Sequence, residues 1–248
     1  MLKKERQSFI LREVNLHNRV LSVDLSQKMN VSEDTIRRDL NEMNRNNQLI
    51  KVHGGALSKS FHLSAVENPV YASSGKKTIA HKAVSLIKNG MFILTTGGTT
   101  IIELAKSLPP ELTATFITAS LPAAYAYIHH PNIDVIFTGD RISKSSKIAI
   151  GAETVEKIKD IRADICFLGI NAIDTETGIT DNDWEVVQVK KAMIASAQQV
   201  VALTISEKLN SSQKIKVCGL DKVNVLITEL DPGDVRLTSY KKAGVTVL

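Results

Sequence analysis

From residue 91 onward the chain repeats one pattern: a short run of aliphatic and β-branched residues, then a longer amphipathic stretch. MFIL, ATFIT, IDVIF, ADICFLGI, QVVALT and NVLIT are the apolar runs. TIIELAKSL, SLPAAYAYIHH, TVEKIKDI and WEVVQVKKAMIASA lie among them with helical spacing. The runs are apolar throughout, not alternating, as strands buried on both faces must be. Parallel strands need helical crossovers of this length. The pattern therefore predicts an α/β domain over residues 75–248, a mostly parallel sheet with helices on both faces. KKTIAHKAVSLIKNG opens it as a helix ending at Gly90, and a last helix near Val235–Lys242 precedes a final strand, VTVL.

The first 57 residues have another texture. Phe9, Ile10 and Val14 share one side of a helix from about Lys3 to His17. After a break at Asn18-Arg19, LSVDLSQKMN reads as a second helix with Ser22 as its N-cap and Leu25 and Met29 facing inward. Asn30-Val31 makes a turn. Ser32 caps a third helix, Glu33 and Asp34 suit its positive end, and Ile36, Leu40 and Met43 form its buried stripe. At ~100° per residue Arg38 then points away from that stripe, together with Asp34, Asn41 and Arg45, with Thr35 and Arg37 on the shoulders. NQLIKVHGGA follows as a small β-wing turning at Gly54-Gly55, with Lys51 and His53 placed for phosphate. Two short helices, a tight turn and a polar-faced third helix match a winged helix-turn-helix. From the arginines alone, a plain solvated helix surface is the commoner outcome, since Arg is an ordinary helix-surface residue.

Charge follows the same division. The chain has 31 Lys+Arg and 26 Asp+Glu, a net of +5. Residues 1–60 carry 11 against 7 of these, so most of the excess sits in the first quarter, where a polyanion would be met. No apolar run approaches the ~20 residues of a membrane helix, so no membrane partner is expected. The start of the chain lacks the apolar core of a secretory signal. Cys166 and Cys218 fall in apolar strand runs and read as buried free thiols of a cytoplasmic protein. No metal-ligand spacing, catalytic constellation or cofactor motif is present, so none of the three is expected.

Residues 58–74, SKSFHLSAVENPVYASS, keep no period and contain Pro69; they read as a linker. In the larger domain, ILTTGGTTIIELA is a strand, a glycine turn and a helix start. Gly97 and Gly98 allow close backbone approach, and the helix-start N–H groups with the Thr99 and Thr100 hydroxyls can hold an anion. A simple tight turn fits the same letters. Lys208, in SEKLN, lies just past a strand. Asp181, Asn182, Asp183 and Glu185 precede a helix and include at least one cap; Lys190 and Lys191 are read as surface, and Trp184 as packed on the sheet.

VSEDTIRRDLNEMNRNNQLIKVHGGA resembles the DNA-binding segment of the DeoR family of bacterial transcriptional regulators, with its Ser-x-x-Thr-Ile-Arg-Arg-Asp-Leu helix and Val-His-Gly-Gly-Ala wing. The resemblance continues through KKTIAHKAVSLI, the Gly97–Thr100 turn, ITASL, the Gly178 turn, EVVQVKKAMIASA and SEK, nearly the whole chain. It implies residues 1–57 as a DNA-binding domain, with Ser32, Thr35, Arg37, Arg38, Asn41, Lys51 and His53 toward double-stranded DNA. It implies residues 75–248 as an effector-sensing domain similar in fold to ribose-5-phosphate isomerase and CoA-transferase-like proteins. Thr96, Gly97, Gly98, Thr99, Thr100, Ser120, Glu185 and Lys208 are then expected around a phosphorylated or other small anionic metabolite.

Two acids of the family pattern are replaced, by Thr95 and Ile205. Thr118-Ala119-Ser120 stands for Thr-Asn-Ser, and Gly139-Asp140 for Gly-Gly. The expectation is a repressor of carbohydrate genes, at least a homodimer, with no enzymatic activity. The alternatives are a regulator whose second domain serves assembly alone, and a sugar-phosphate isomerase-like enzyme.

Overall fold

The computed structural model describes residues 1–17, 19–58 and 72–248. Most of the 58–74 linker reading, with His62 and Pro69, and the Asn18 half of the expected break lie outside these residues. The chain divides into two compact units, Met1–Tyr71 and Ala72–Leu248.

The first unit runs α1 (Lys3–His17), β1 (Arg19–Leu21), α2 (Ser22–Met29), α3 (Glu33–Arg45), β2 (Ile50–Val52) and β3 (Gly55–Leu57). The strands form an antiparallel sheet in the order β1-β3-β2. Ile10, Val14, Val20, Leu25, Met29, Ile36, Leu40, Met43, Leu49 and Ala56 make one core. Asn30 ends α2 in the left-handed region at φ 50°. Ser32 caps α3, its hydroxyl accepting from the Thr35 N–H at 3.2 Å. Ser22 is not the N-cap expected from its residue type: Leu21 holds that position. The reason is β1, a strand too short to read from pattern, which pairs Leu21 with Gly55. The Ser22 N–H instead donates to the Gly54 carbonyl at 2.8 Å, so the turn of the wing satisfies the start of α2.

The second unit is built from α4 (Ser73–Val84), β4 (Phe92–Thr95), α5 (Thr99–Lys106), β5 (Thr115–Thr118), α6 (Leu121–Tyr127) and β6 (Asp134–Phe137). A hairpin of β7 (Arg141–Ile142) and β8 (Ala149–Ile150) leads to α7 (Ala152–Lys159) and β9 (Ala163–Gly169). Then come β10 (Ala172–Asp174), β11 (Gly178–Asp181), α8 (Trp184–Ala195), β12 (Ala197–Leu203), β13 (Ile215–Cys218), β14 (Val225–Ile227), α9 (Thr238–Lys242) and β15 (Thr246–Val247).

Seven strands form a parallel sheet in the order β15-β14-β12-β9-β4-β5-β6. A second small sheet, β10-β11-β13, is antiparallel. It and the β7–β8 hairpin are too short and mixed in polarity to be read from periodicity. Helix α4 starts inside the expected linker and stops at Val84, six residues before Gly90. The last helix is split, a 3-10 turn at Val235–Leu237 preceding α9.

Strand order places the crevice. The chain leaves β4 for β5 and β6 on one side, then returns to β9, β12, β14 and β15 on the other. The reversal lies between β4 and β9. In sheets of this kind, ligands settle beyond the carboxyl ends of the strands at such a reversal.

Candidate functional site

On α3 the stripe of Ile36, Leu40 and Met43 is buried, and Arg37 and Arg38 are exposed. The Arg38 side chain is 81% exposed and ion-pairs with Asp34 at 2.7 Å. A pair so open to water contributes little and releases its arginine readily. Thr35 and Asn41 are half-buried on the same helix. The Ser32 hydroxyl lies 2.9 Å from that of Thr35 and is engaged in the cap. Lys51 on β2 and His53 in the wing turn are exposed. Asn44, near the end of α3, accepts the Lys51 N–H through its side-chain oxygen at 2.9 Å, so the wing is fastened to the helix it flanks.

Asp39, between Arg38 and Leu40, was not singled out by the sequence. Its side chain is 3% exposed and pairs with Arg6 of α1, whose side chain is 12% exposed. Arg6 donates through Nε and, at 3.3 Å, through Nη2; Gln7 Nε2 adds a longer contact at 3.5 Å. Asp39 thus fixes how α3 is seated on α1. The signal was available: Asp39 falls one residue before Leu40, on the edge of the buried stripe, where a carboxylate needs a partner.

In the second unit, β4 delivers the Thr95–Thr100 turn to the reversal point. Thr96 accepts the Gly169 N–H from the end of β9 at 2.8 Å. The two turns approach so closely that a Cβ on Gly169 would lie 2.5 Å from the Gly97 carbonyl oxygen. Gly98 precedes α5 at φ 116°, a conformation side chains disfavour, and no side chain caps the helix. The first N–H groups of α5 therefore lack helical partners, and the Thr99 and Thr100 side chains stand beside them. Ser120 at the end of β5 caps α6, accepting from the Ala123 N–H at 3.4 Å. Thr96, Gly97 and Ser120 share a small pocket with Ile148, Val186, Val189, Lys190 and Met193, a cavity of about 10 Å³. That is room for about one water, so any ligand must displace side chains to enter.

Three lysines converge at this end of the sheet. Lys208 lies in a 3-10 turn, Ser206–Lys208, just past β12. Its ammonium donates to the Ile170 carbonyl at 2.9 Å. The turn is fastened by Glu229, whose carboxylate oxygens accept the Ser206 N–H at 2.9 and 3.0 Å. Lys190 of α8 was read as surface but is 5% exposed; it donates to Asp181 at 2.7 Å and to the Gly169 carbonyl at 3.1 Å. Helix α8 turns the Lys190 face inward along with Val186, Val187, Val189 and Met193. Lys76 of α4 is also 5% exposed.

Burial, reinforced by Lys76 and Lys190, lowers Lys208 to about 7, with Asp181 opposing. Burial lowers Lys76 to about 8, against the pull of Glu103 and Glu207. Burial pushes Asp181 up, but the Lys190 charge and hydrogen bond, with the Asn182 N–H and Asn171 amide, hold it below the usual carboxylate range. Lys76 and Lys190 carried no sequence signal, since a lysine inside an amphipathic helix is ordinarily solvated.

Of the expected effector residues, Gly98, Thr99, Thr100, Glu185 and Lys208 do not line this pocket, and Glu185 ion-pairs with Arg141 of the β7–β8 hairpin. Trp184, read as packed on the sheet, is 64% exposed: it opens α8 immediately after the Asp183 cap, before the buried face begins. Thr95 and Ile205, which replace the family acids, are buried at 0% and 3% exposure. The Thr95 and Tyr127 hydroxyls are buried close to each other and have no hydrogen-bond partner beyond that mutual contact among the described residues. Cys166 and Cys218 are buried free thiols. Among the described residues no His, Cys, Asp or Glu group is arranged to hold a metal ion, and no helix is long and apolar enough to cross a membrane.

Comparison with known proteins gives matches along nearly the whole chain. Residues 6–61 match the family model described as the DeoR-like helix-turn-helix domain, and residues 72–230 that of the DeoR C terminal sensor domain. The chain is 32% identical over 254 residues to the uncharacterized HTH-type transcriptional regulator YulB of Bacillus subtilis, covering 100% of this chain and 98% of that protein. It is 30% identical over 252 residues to the glycerol-3-phosphate regulon repressor of Haemophilus influenzae, covering 100% and 97%. Among solved structures, ribose 5-phosphate isomerase A from Methanocaldococcus jannaschii aligns with a TM-score of 0.40 at 23% identity, over 54% of this chain and 53% of that one.

Proposed function

The chain belongs to the DeoR family of transcriptional regulators, and from that premise we propose that it is a sequence-specific repressor of carbohydrate-metabolism genes, released or tightened by a small phosphorylated or otherwise anionic metabolite. Residues 1–57 bind DNA, 58–74 link, and 75–248 sense the metabolite. Arg37 and Arg38 read base edges, with Thr35 and Asn41 beside them and Ser32 at the helix start; Lys51 and His53 hold phosphates. Two half-sites need two recognition helices, so the protein works in the cytoplasm as a homodimer or larger homo-oligomer.

The observation that carries the sensing half is that Lys190 lines the pocket of Thr96, Gly97 and Ser120 at the β4–β9 reversal, with Lys208 close enough to Lys190 and Lys76 to feel their charge. Gly98, Thr99, Thr100 and the open start of α5 adjoin it as the rest of the anion site in this reading. Charge-assisted donors and free helix-start N–H groups are what an anionic head group requires. Glu185 lies at the margin, as a reader of the rest of the ligand.

Burial of Thr95 and Ile205 where acids are expected removes two acceptors for sugar hydroxyls, so the part beyond the anion differs from an open-chain sugar. The same loss removes the carboxylate base that an aldose–ketose isomerase needs, and the protein is not an enzyme. The ligand acts through differential affinity for two states of the protein, not by touching Arg37 or Arg38.

Calorimetry with a panel of phosphosugars and other small anions tests this reading on wild type, Lys208→Ala and Gly98→Val. Binding lost in both variants is expected. A preferred ligand without negative charge, or binding indifferent to both substitutions, overturns it. A second domain serving assembly alone predicts no binding to wild type at all.

A further inference from the structure

Lys190 and Lys208 come to the consecutive carbonyls of Gly169 and Ile170, and Lys76 lies close enough to Lys208 to act on its charge, yet the counter-charges of the three are unequally divided. Lys190 is matched by Asp181 at 2.7 Å. Lys76 is pulled by Glu103 and Glu207, although Glu103 also pairs with Lys106 at 3.4 Å. Lys208 donates to a neutral carbonyl, that of Ile170, and forms no ion pair among the described residues. It is faced by Lys76 from α4, by Lys190 from α8 and by Asp181 from β11. Lys208 alone is left to a neutral acceptor, and two nearby like charges disfavour its charged form.

We propose that anion binding in this crevice is coupled to proton uptake: the empty site holds fewer than three protonated lysines, and the anion enters together with the proton that completes the set. The inference rests on the reading of the crevice as an anion site and adds its regulation. A sensor so built responds to pH as well as to metabolite concentration.

The direction follows from linkage. Lys208 sits at about 7 and Lys76 at about 8 in the empty site. An arriving dianion raises both, because it favours the charged forms. Below about 7 the protons are already in place and affinity is flat. Above it each binding event must take up a proton, and affinity falls. For Lys208 alone, raising the pH from 7 to 9 weakens binding by on the order of 50-fold if the bound form stays protonated. Lys208, held by the neutral Ile170 carbonyl and not by a carboxylate, is the group free to turn to an arriving anion.

The test uses the full chain and sulfate, a dianion whose own charge is constant over the range. Competitive acetylation read by mass spectrometry gives the protonation and the protection of each lysine between pH 6 and 9. Lys208 is expected to titrate near neutrality without sulfate and well above it with sulfate, while half-protection needs ~50-fold more sulfate at pH 9 than at pH 7. Lys208→Arg, which cannot lose its proton, should still protect Lys76 but with a much flatter pH dependence. Sulfate protection that is independent of pH in wild type, with Lys208 titrating as an ordinary lysine, overturns the coupling and leaves the anion site standing. Sulfate and inorganic phosphate that protect none of the three lysines at any pH overturn both.

Discussion

Replacing Asp39 by Ala tests how the recognition helix is held. The carboxylate is 3% exposed and takes the Arg6 guanidinium and a Gln7 amide contact from α1. Removing one partner of a buried ion pair costs about 3–5 kcal/mol, because the other charge is stranded. Arg6 keeps 12% of its side-chain surface in water, which places the cost near the lower end, about 3 kcal/mol. Local opening of α1 and α3 should then become ~100-fold more frequent. Amide hydrogen exchange on peptides from Lys3–His17 and Glu33–Arg45 reads this directly, with peptides from the second unit as an internal control. The double variant Arg6→Leu with Asp39→Leu should recover most of the loss, since no charge is left unpaired. A change of less than ~5-fold in Asp39→Ala, about 1 kcal/mol, would show that the pair does not seat the helix.

Arg37→Ala and Arg38→Ala should each weaken binding to a specific site by ~1–3 kcal/mol in an anisotropy titration, with little change on unrelated DNA. Equal loss on every sequence would assign them to phosphate. Lys51→Ala should weaken binding to all sequences alike and lower the salt slope by ~1; a loss confined to one sequence would contradict the wing contact. Asp181→Leu should destabilise the second unit by ~3–5 kcal/mol in thermal unfolding, because it strands Lys190 in the crevice. Asp181 is held below its ordinary range, so its contribution is full above that range and fades as pH falls through its folded value. Acid should therefore destabilise wild type more steeply than the variant.

Long elements were legible because their periods are strong: α1 and the buried stripe of α3 appear where spacing placed them, as do the main sheet strands. Three-residue strands such as β1 and β10 are fixed by partners distant in sequence and leave no period to read. That is why Ser22, a good cap by residue type, is displaced by the wing carbonyl of Gly54.

The crevice was half legible. Gly97, Gly98 and Lys208 stand at a strand end, where strand-helix alternation alone directs attention. Lys76 and Lys190 sit inside amphipathic helices, and only the packing of α4 and α8 turns them inward. Asp39 showed only as an acid at the edge of the buried stripe; its partner, 33 residues away, left no signal.

Genome-wide mapping of bound DNA tests the central claim most directly, with wild type and the Arg37→Ala, Arg38→Ala double variant expressed at equal levels. A sequence-specific regulator whose third helix reads bases predicts discrete wild-type peaks sharing one repeated or palindromic motif beside carbohydrate-use genes, and their disappearance in the double variant. Wild-type binding without a shared motif, or peaks unchanged by the double substitution, would contradict the account.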